Sequence, residues 1–282
     1  MTERLADISA RIEGIRQLGA VVNAMKGIAG ARAHVARTQV QAVDSYANTI
    51  AGAMASVLHT SMNTTHNSFD SGSAKRGMLV FTAEQGFAGA FSERVLEAFA
   101  AEDEPELLFL VGTRGAAIAQ ARGLAPYWTA PLPSHTPGIP KLADRITTAI
   151  YQAVAERRIN CLDALFTGWV NGRPVLLRQP LFPIDLENLP PATATHPMTH
   201  LAEESLIAAL GQDYFNAQVC KAALHAFASE NEARMEAMAS AGAQIARELE
   251  TFQAKLRRVR QEAITAEIIE LGTGTASAEP AR

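Results

Sequence analysis

Twelve of the chain's thirteen prolines lie between Pro105 and Pro197, and the last is Pro280. Residues 1–104 and 198–279 contain none. Proline lacks a backbone N–H and its ring clashes with the preceding turn, so helix interiors exclude it. Two long proline-free ends around a proline-rich middle predict two long terminal helices and a central mixed domain.

Residue spacing supports this division. Small or apolar residues recur at spacings of three and four through Leu5, Ile8, Ile12, Ile15, Gly19, Val22, Ala29, Ala33, Ala36 and Val40, and on to Met54 and Val57. Lys26 fills the one gap between Val22 and Ala29. A second series runs through Met235, Met238, Gly242, Ile245, Leu249, Phe252, Leu256, Val259 and Ala263. This heptad pattern is that of left-handed helix pairing, and it predicts that the two ends pair with each other. Helices over about 3–58 and 199–270 would measure roughly 85 and 105 Å. A globular domain of this chain length has a radius of gyration near ~19 Å. The helices are therefore expected to project beyond any globular body. The expected boundaries are 1–60 for the N-terminal helix, 75–195 for the central domain and 198–271 for the C-terminal helix. Residues 272–282, small and polar, are expected to form a disordered tail.

The middle has a different pattern. Met78–Thr82 and Glu106–Gly112 are short apolar runs bounded by turn residues, which suits buried strands. Phe91–Ala100, Gly115–Ala121 and Lys141–Arg158 alternate with them as helices. Asn171-Gly172, between two strand-like runs, is a hairpin signal because both turn residues must reach positive φ. Tyr127–Pro140 is proline-rich and is expected to be an irregular loop. The predicted fold is α/β: a long two-helix coiled coil from the chain ends plus a small central domain of four or five strands, partly parallel.

Chemistry is sparse. No nucleotide-binding P-loop motif occurs, and no Gly-x-Ser-x-Gly or paired Cys/His arrangement. Cys161 and Cys220 imply no disulfide framework, and the seven histidines offer no metal spacing beyond His196 and His200, where Pro197 favours a surface reading. No catalytic, cofactor or metal site is expected. A net charge of −4 argues against a whole-chain nucleic-acid binder. No apolar run reaches the length that spans a bilayer, so no direct membrane insertion is expected. Gly86–Gly89 and Gly112–Gly115 each follow a predicted strand; they suit either tight strand-to-helix turns, the preferred reading, or an anion cradle.

Charge is the remaining signal. Between Gly14 and Val43 the charges are Arg16, Lys26, Arg32 and Arg37, with no acid. Between Thr251 and Gln261 they are Lys255, Arg257, Arg258 and Arg260, again with no acid. On paired helices these runs would form one basic collar, suited to an acidic partner surface. Two solvated helix faces are the plainer reading.

Three segments carry a resemblance. Residues 12–31 contain Ala24-Met25-Lys26; residues 80–91 read VFTAEQGFAGAF; and Ser229-Glu230, with Ala233-Arg234-Met235, is followed by Arg260-Gln261-Glu262-Ala263-Ile264-Thr265. In this order, on a helix–domain–helix plan, they resemble the gamma subunit of F-type ATP synthases over nearly the whole chain. The resemblance implies an antiparallel coiled coil with a Rossmann-like central domain. It implies a non-catalytic rotor shaft, turned by ion flow through the membrane ring of c subunits. The implied partners are the ring of alpha and beta subunits, the epsilon subunit and the c-ring. The implied location is the cytoplasmic face of a bacterial inner membrane, held there peripherally. Met25, Lys26, Arg257, Arg258, Arg260, Gln261 and Thr265 are implied to touch the alpha/beta ring, the last three as a polar catch on one beta subunit. The chain departs from the family where Arg257 replaces a common asparagine, Asn231 a common histidine, and Gly14, Gly19, Gly27 and Gly30 better helix formers. It is similar to a divergent branch. Two alternatives stand beside it: an α/β ligand-binding or catalytic domain with a coiled-coil dimerisation arm, and a static coiled-coil tether.

Overall fold

A computed structural model describes residues 2–60, 75–102, 105–170, 173–185, 189–190 and 199–276. The chain divides into two compact units, one of residues 1–28 with 235–282 and one of residues 29–234. Two long helices, α1 (Thr2–Thr60) and α5 (Glu203–Ala276), contribute to both. Helix α5 starts at Glu203 and runs five residues past the expected end at 271. Residues 277–282, Asn171-Gly172 and His196 lie outside the described residues.

In the first unit the helices pair antiparallel. Ile8, Ile12 and Val259 are buried together, with Leu5, Leu249, Phe252 and Leu256 packed around them. The Arg11 guanidinium lies 5.2 Å from the centre of the Phe252 ring. A Cβ at Gly19 would stand 3.3 Å from Ile245, and one at Gly242 would stand 3.9 Å from Val22. Partner numbers fall on α5 as they rise on α1, which defines the antiparallel direction. Gly19 and Gly242 face the seam, where a missing Cβ permits close approach. The expected seam needs one correction. Lys26 is exposed, and Met25, half-buried, takes the seam position between Val22 and Ala29. A lysine at that position would lose hydration of its ammonium, whereas a thioether fills irregular space at little cost.

Gly14 and Gly27 sit in the interior of α1 with open space around their Cα atoms. Gly14→Ala and Gly27→Ala are therefore expected to stabilise the chain by about 0.5–1 kcal/mol each, because alanine loses less backbone entropy on entering a helix. Urea unfolding of the double variant checks this, and an unchanged or lower midpoint counts against it.

The second unit is built on a five-stranded sheet. Its strands are β1 (Arg76–Phe81), β2 (Leu107–Val111), β3 (Trp128–Ala130), β4 (Cys161–Val170) and β5 (Arg173–Phe182). Their order is β3-β2-β1-β4-β5. All neighbouring pairs are parallel except β4 with β5, which pair antiparallel out to Val170 and Arg173. Strand β3 and the short 3-10 turn Thr136–Gly138 lie in the segment expected to be an irregular loop. A three-residue strand ahead of a proline cluster has no alternation long enough to mark it, and only pairing with β2 defines it.

Helices α2 (Phe91–Ala100) and α3 (Thr113–Ala121) cover one face of the sheet, against Met78, Val80, Leu108, Leu110 and Leu165. Helix α4 (Ile139–Ala155) covers the other, against Leu79, Phe81, Phe109 and Phe166. Ala36 and Val40 of α1 and Phe215, Val219, Leu224 and Phe227 of α5 join that second core. Both faces are covered, which explains why β1 and β2 read as unbroken apolar runs rather than alternating ones.

Candidate functional site

The strand order reverses at β1: the chain moves outward on one side through β2 and β3, then crosses to β4 on the other. In open α/β sheets the crevice beyond the carboxyl ends of the strands at such a switch point is the usual ligand site. Here that crevice is filled by the chain itself. The Glu230 carboxylate of α5 accepts hydrogen bonds from the backbone N–H groups of Glu84, at 3.1 Å, and Gln85, at 3.3 Å. The Arg234 guanidinium, one helical turn on, donates to the carbonyls of Gln85 and Gly86, each at 3.2 Å. It also donates to Asn231 Oδ1 at 3.2 Å and to Glu230 Oε1 at 2.5 Å. Glu230 and Arg234 are 2% and 6% exposed.

A second carboxylate completes the closure. Glu84 accepts from Thr113 N–H at 2.9 Å, from the Thr113 hydroxyl at 2.8 Å and from Leu132 N–H at 2.8 Å. The N–H groups of Arg114 and Gly115 donate to the Ala83 carbonyl. The positive end of α3, where a bound anion would sit, therefore holds an internal carboxylate. Both glycine segments are tight turns. Gly112 has φ of +110°, and a Cβ at Gly115 would stand 1.9 Å from Thr82 Oγ1, so α3 packs directly on the end of β1. Of the two candidate cradles, the one at Gly112–Gly115 is taken by Glu84, and ahead of the other Glu230 takes the N–H of Gln85.

More polar anchors hold α5 to the sheet and α1. The Ser229 hydroxyl donates to the Thr167 carbonyl of β4 at 2.8 Å. Lys221 and Asp44 pair at 2.6 Å, and Arg37 of α1 pairs with Glu232. The Arg37 guanidinium also lies 5.7 Å from the Trp169 ring centre. Sequence reasoning marked residues 229–235 as a family signature without assigning them a role. Their interior position on α5 and their spacing of four were readable; their partners, 145 residues away and more, were not.

Burial pushes the Glu232 carboxyl up from its ordinary value of 4.5, and Arg37 draws it partly back down. A raised carboxyl pKa means that the folded chain keeps a proton which the unfolded chain releases. Stability attributable to this group is therefore lost as pH rises from about 4.5 through the folded pKa. In Arg37→Met the opposing charge is gone, so Glu232 should titrate higher still and the loss with rising pH should deepen. Carbon-13 titration of Glu232, with unfolding measured across the same pH range, checks this. A Glu232 pKa unmoved or lowered in Arg37→Met would count against it.

The implied partner-contact residues all lie in the first unit, but on separate levels. Lys26 lines a cleft of about 310 Å³ with Gly19, Val22, Met238 and Gly242. Arg257 is nineteen residues beyond Met238 on α5, about 28 Å along the helix. A single basic collar therefore does not form. Arg257, Arg258, Arg260, Gln261 and Thr265 are all exposed. Glu262 accepts from Arg258 at 3.1 Å, and the Thr265 hydroxyl donates to its own helix at the Gln261 carbonyl. Arg37, counted in the basic run, is held by Glu232 in the second unit. Among the described residues no cluster of His, Cys, Asp or Glu could hold a metal, and no helix is long and apolar enough to cross a membrane.

Paired terminal helices and an α/β domain whose switch-point crevice is closed by its own side chains define the class of fold. A family model described as ATP synthase matches residues 4–278, and the chain belongs to that family. Among its relatives is the ATP synthase gamma chain of Lachnoclostridium phytofermentans, 27% identical, with 96% of this chain and 97% of the relative covered. The gamma chain of Desulfitobacterium hafniense is 26% identical over 97% of this chain and 98% of its own length. A chain of the Euglena gracilis mitochondrial ATP synthase (OSCP/F1/c-ring, rotational state 3) shares the fold. Its TM-score is 0.60 at 14% identity, over 98% of this chain and 95% of that one.

Proposed function

We propose that this chain is the non-catalytic central shaft of an ion-driven ATP synthase, coupling rotation of a membrane ring of c subunits to the nucleotide sites of a surrounding alpha/beta ring. The observation that carries the reading is the gamma-chain likeness along nearly the whole chain. The clamp at Glu230 and Arg234 supports it, because a torque-bearing helix must not turn or slide against the domain that drives it. Buried charged hydrogen bonds with several fixed partners resist such motion better than apolar packing alone.

In this reading the epsilon subunit and the c-ring engage the α/β domain, and the complex sits at the cytoplasmic face of a bacterial inner membrane. Met25 and Lys26 meet the alpha/beta ring at one level, and Arg257 and Arg258 at another. Arg260, Gln261 and Thr265 form a polar catch near the far end of α5. Each exposed charge contributes only about 0–1 kcal/mol, so the catch acts by holding one rotary position and not by overall affinity.

Co-expression with the alpha and beta subunits of the same source tests the reading. The tagged chain should co-purify with both in an ATP-hydrolysing assembly. Replacing Arg260, Gln261 and Thr265 together by alanine should leave assembly intact and shorten a dwell in single-molecule rotation. Recovery of the chain only as a lone homodimer, without nucleotide-binding subunits, would overturn the shaft. Unchanged dwells in the triple variant would overturn the catch alone.

A further inference from the structure

An open pocket of about 520 Å³ lies between the outward face of α4 and the Tyr127–Trp128 segment at β3. Its aromatic part is fixed in place. Tyr127 stands edge-on to the buried Phe109 ring, with centroids 5.5 Å apart, and Trp128 is half-buried. Two guanidiniums lie over these rings, Arg145 at 5.8 Å from Trp128 and Arg158 at 4.5 Å from Tyr127. Lys141 is a third cation and lines the pocket with Arg145, while Arg158 stands beside it at Tyr127. None of the three forms an ion pair among the described residues, and the carboxylate within the pocket, Asp144, already accepts a hydrogen bond from Asn216 at 2.9 Å. Strand β3 is the outermost strand on this side of the sheet.

Tyrosine, tryptophan and arginine gathered at a concave surface are the residue types that dominate binding energy where proteins meet. Three cations against the single lining carboxylate, Asp144, set the sign of the partner. We propose that this pocket is a docking site for an acidic segment of another protein, with an apolar side chain on Tyr127 and Trp128 and carboxylates on Lys141, Arg145 and Arg158. The assignment rests on residues of the second unit alone and does not require the shaft reading.

The test places the photocrosslinker p-benzoylphenylalanine at Thr148, an exposed position in the pocket lining. The full-length tagged chain is irradiated in its own cells, purified under denaturing conditions and mapped by peptide mass spectrometry. The expected product joins Thr148 to a partner segment with two or more acidic residues. Its yield should fall about tenfold or more in the triple variant Lys141→Glu, Arg145→Glu, Arg158→Glu, since juxtaposed like charges are strongly unfavourable. All three side chains are exposed, and an unchanged circular dichroism melting curve confirms that the variant folds. A cross-link to a neutral or basic segment, or one equally strong in the triple variant, overturns the proposal. Absence of any protein cross-link also overturns it. If the full chain then binds tripolyphosphate and the triple variant does not, the pocket is a small-polyanion site instead.

Discussion

Arg234→Ala should lower the unfolding free energy of the chain by about 3–5 kcal/mol, the usual cost of removing one partner from a buried ion pair. The arginine side chain is 7% exposed and that of Glu230 3%, so water cannot replace the lost donor. The carbonyls of Gln85 and Gly86 lose their bonds to the guanidinium, and Glu230 retains a buried charge offset only by two backbone N–H groups. Urea titration followed by the fluorescence of Trp128 and Trp169 measures the loss. The double variant Glu230→Gln, Arg234→Met should recover part of it, since no uncompensated charge remains. A loss of less than about 1 kcal/mol in Arg234→Ala would place the pair among ordinary surface contacts and remove the physical support for a torque clamp. The same variant in an assembled complex should hydrolyse ATP with weaker coupling to ion movement.

Gly115→Ala is expected to destabilise the chain almost as much, for a steric reason. Its Cβ would lie 1.9 Å from the hydroxyl oxygen and 2.2 Å from the Cβ of Thr82. Thr82 is fully buried, and its hydroxyl donates to the Val111 carbonyl at 2.7 Å, so it has no free rotamer to yield. Helix α3 must therefore move off the sheet, pulling Thr113 from Glu84. Overpacking of this kind typically costs about 1–3 kcal/mol, and the broken cap at Glu84 adds roughly 1 kcal/mol. Differential scanning calorimetry should show a markedly lower Tm. Thr82→Gly in the Gly115→Ala background removes the clash and should restore part of the loss. A Tm within a degree or two of the parent for Gly115→Ala alone would show that the close packing at this turn is not required.

Much of the architecture was legible because it depends on period and punctuation. The three–four spacing from Leu5 to Val57 marks the buried stripe of α1, and Ile8, Ile12, Val22, Ala29, Ala33, Ala36, Val40, Ile50, Met54 and Val57 are all buried. Short apolar runs mark β1 and β2, the runs either side of Asn171-Gly172 mark β4 and β5, and Phe91–Ala100 marks α2 to the residue. Strand β3 escaped notice because three residues carry no period. The seam residue is Met25 and not Lys26, a choice that spacing alone does not settle across a gap of seven. The basic runs looked like one collar because sequence shows which charges share a run, not which level of an antiparallel pair they reach.

The order of hydrophobic residues and prolines, a local property written into each helix and strand, determined the class of fold and the two long helices, and three short signature segments determined the family likeness. The closure of the sheet's crevice was decided only by tertiary structure. Glu230 and Arg234 acquire their partners from a turn 145 residues or more earlier in the chain. Hydrogen bonds and close packing act over about 3 Å, so which carboxylate meets which backbone N–H depends on how the folded chain returns on itself, and no spacing along the chain encodes that distance.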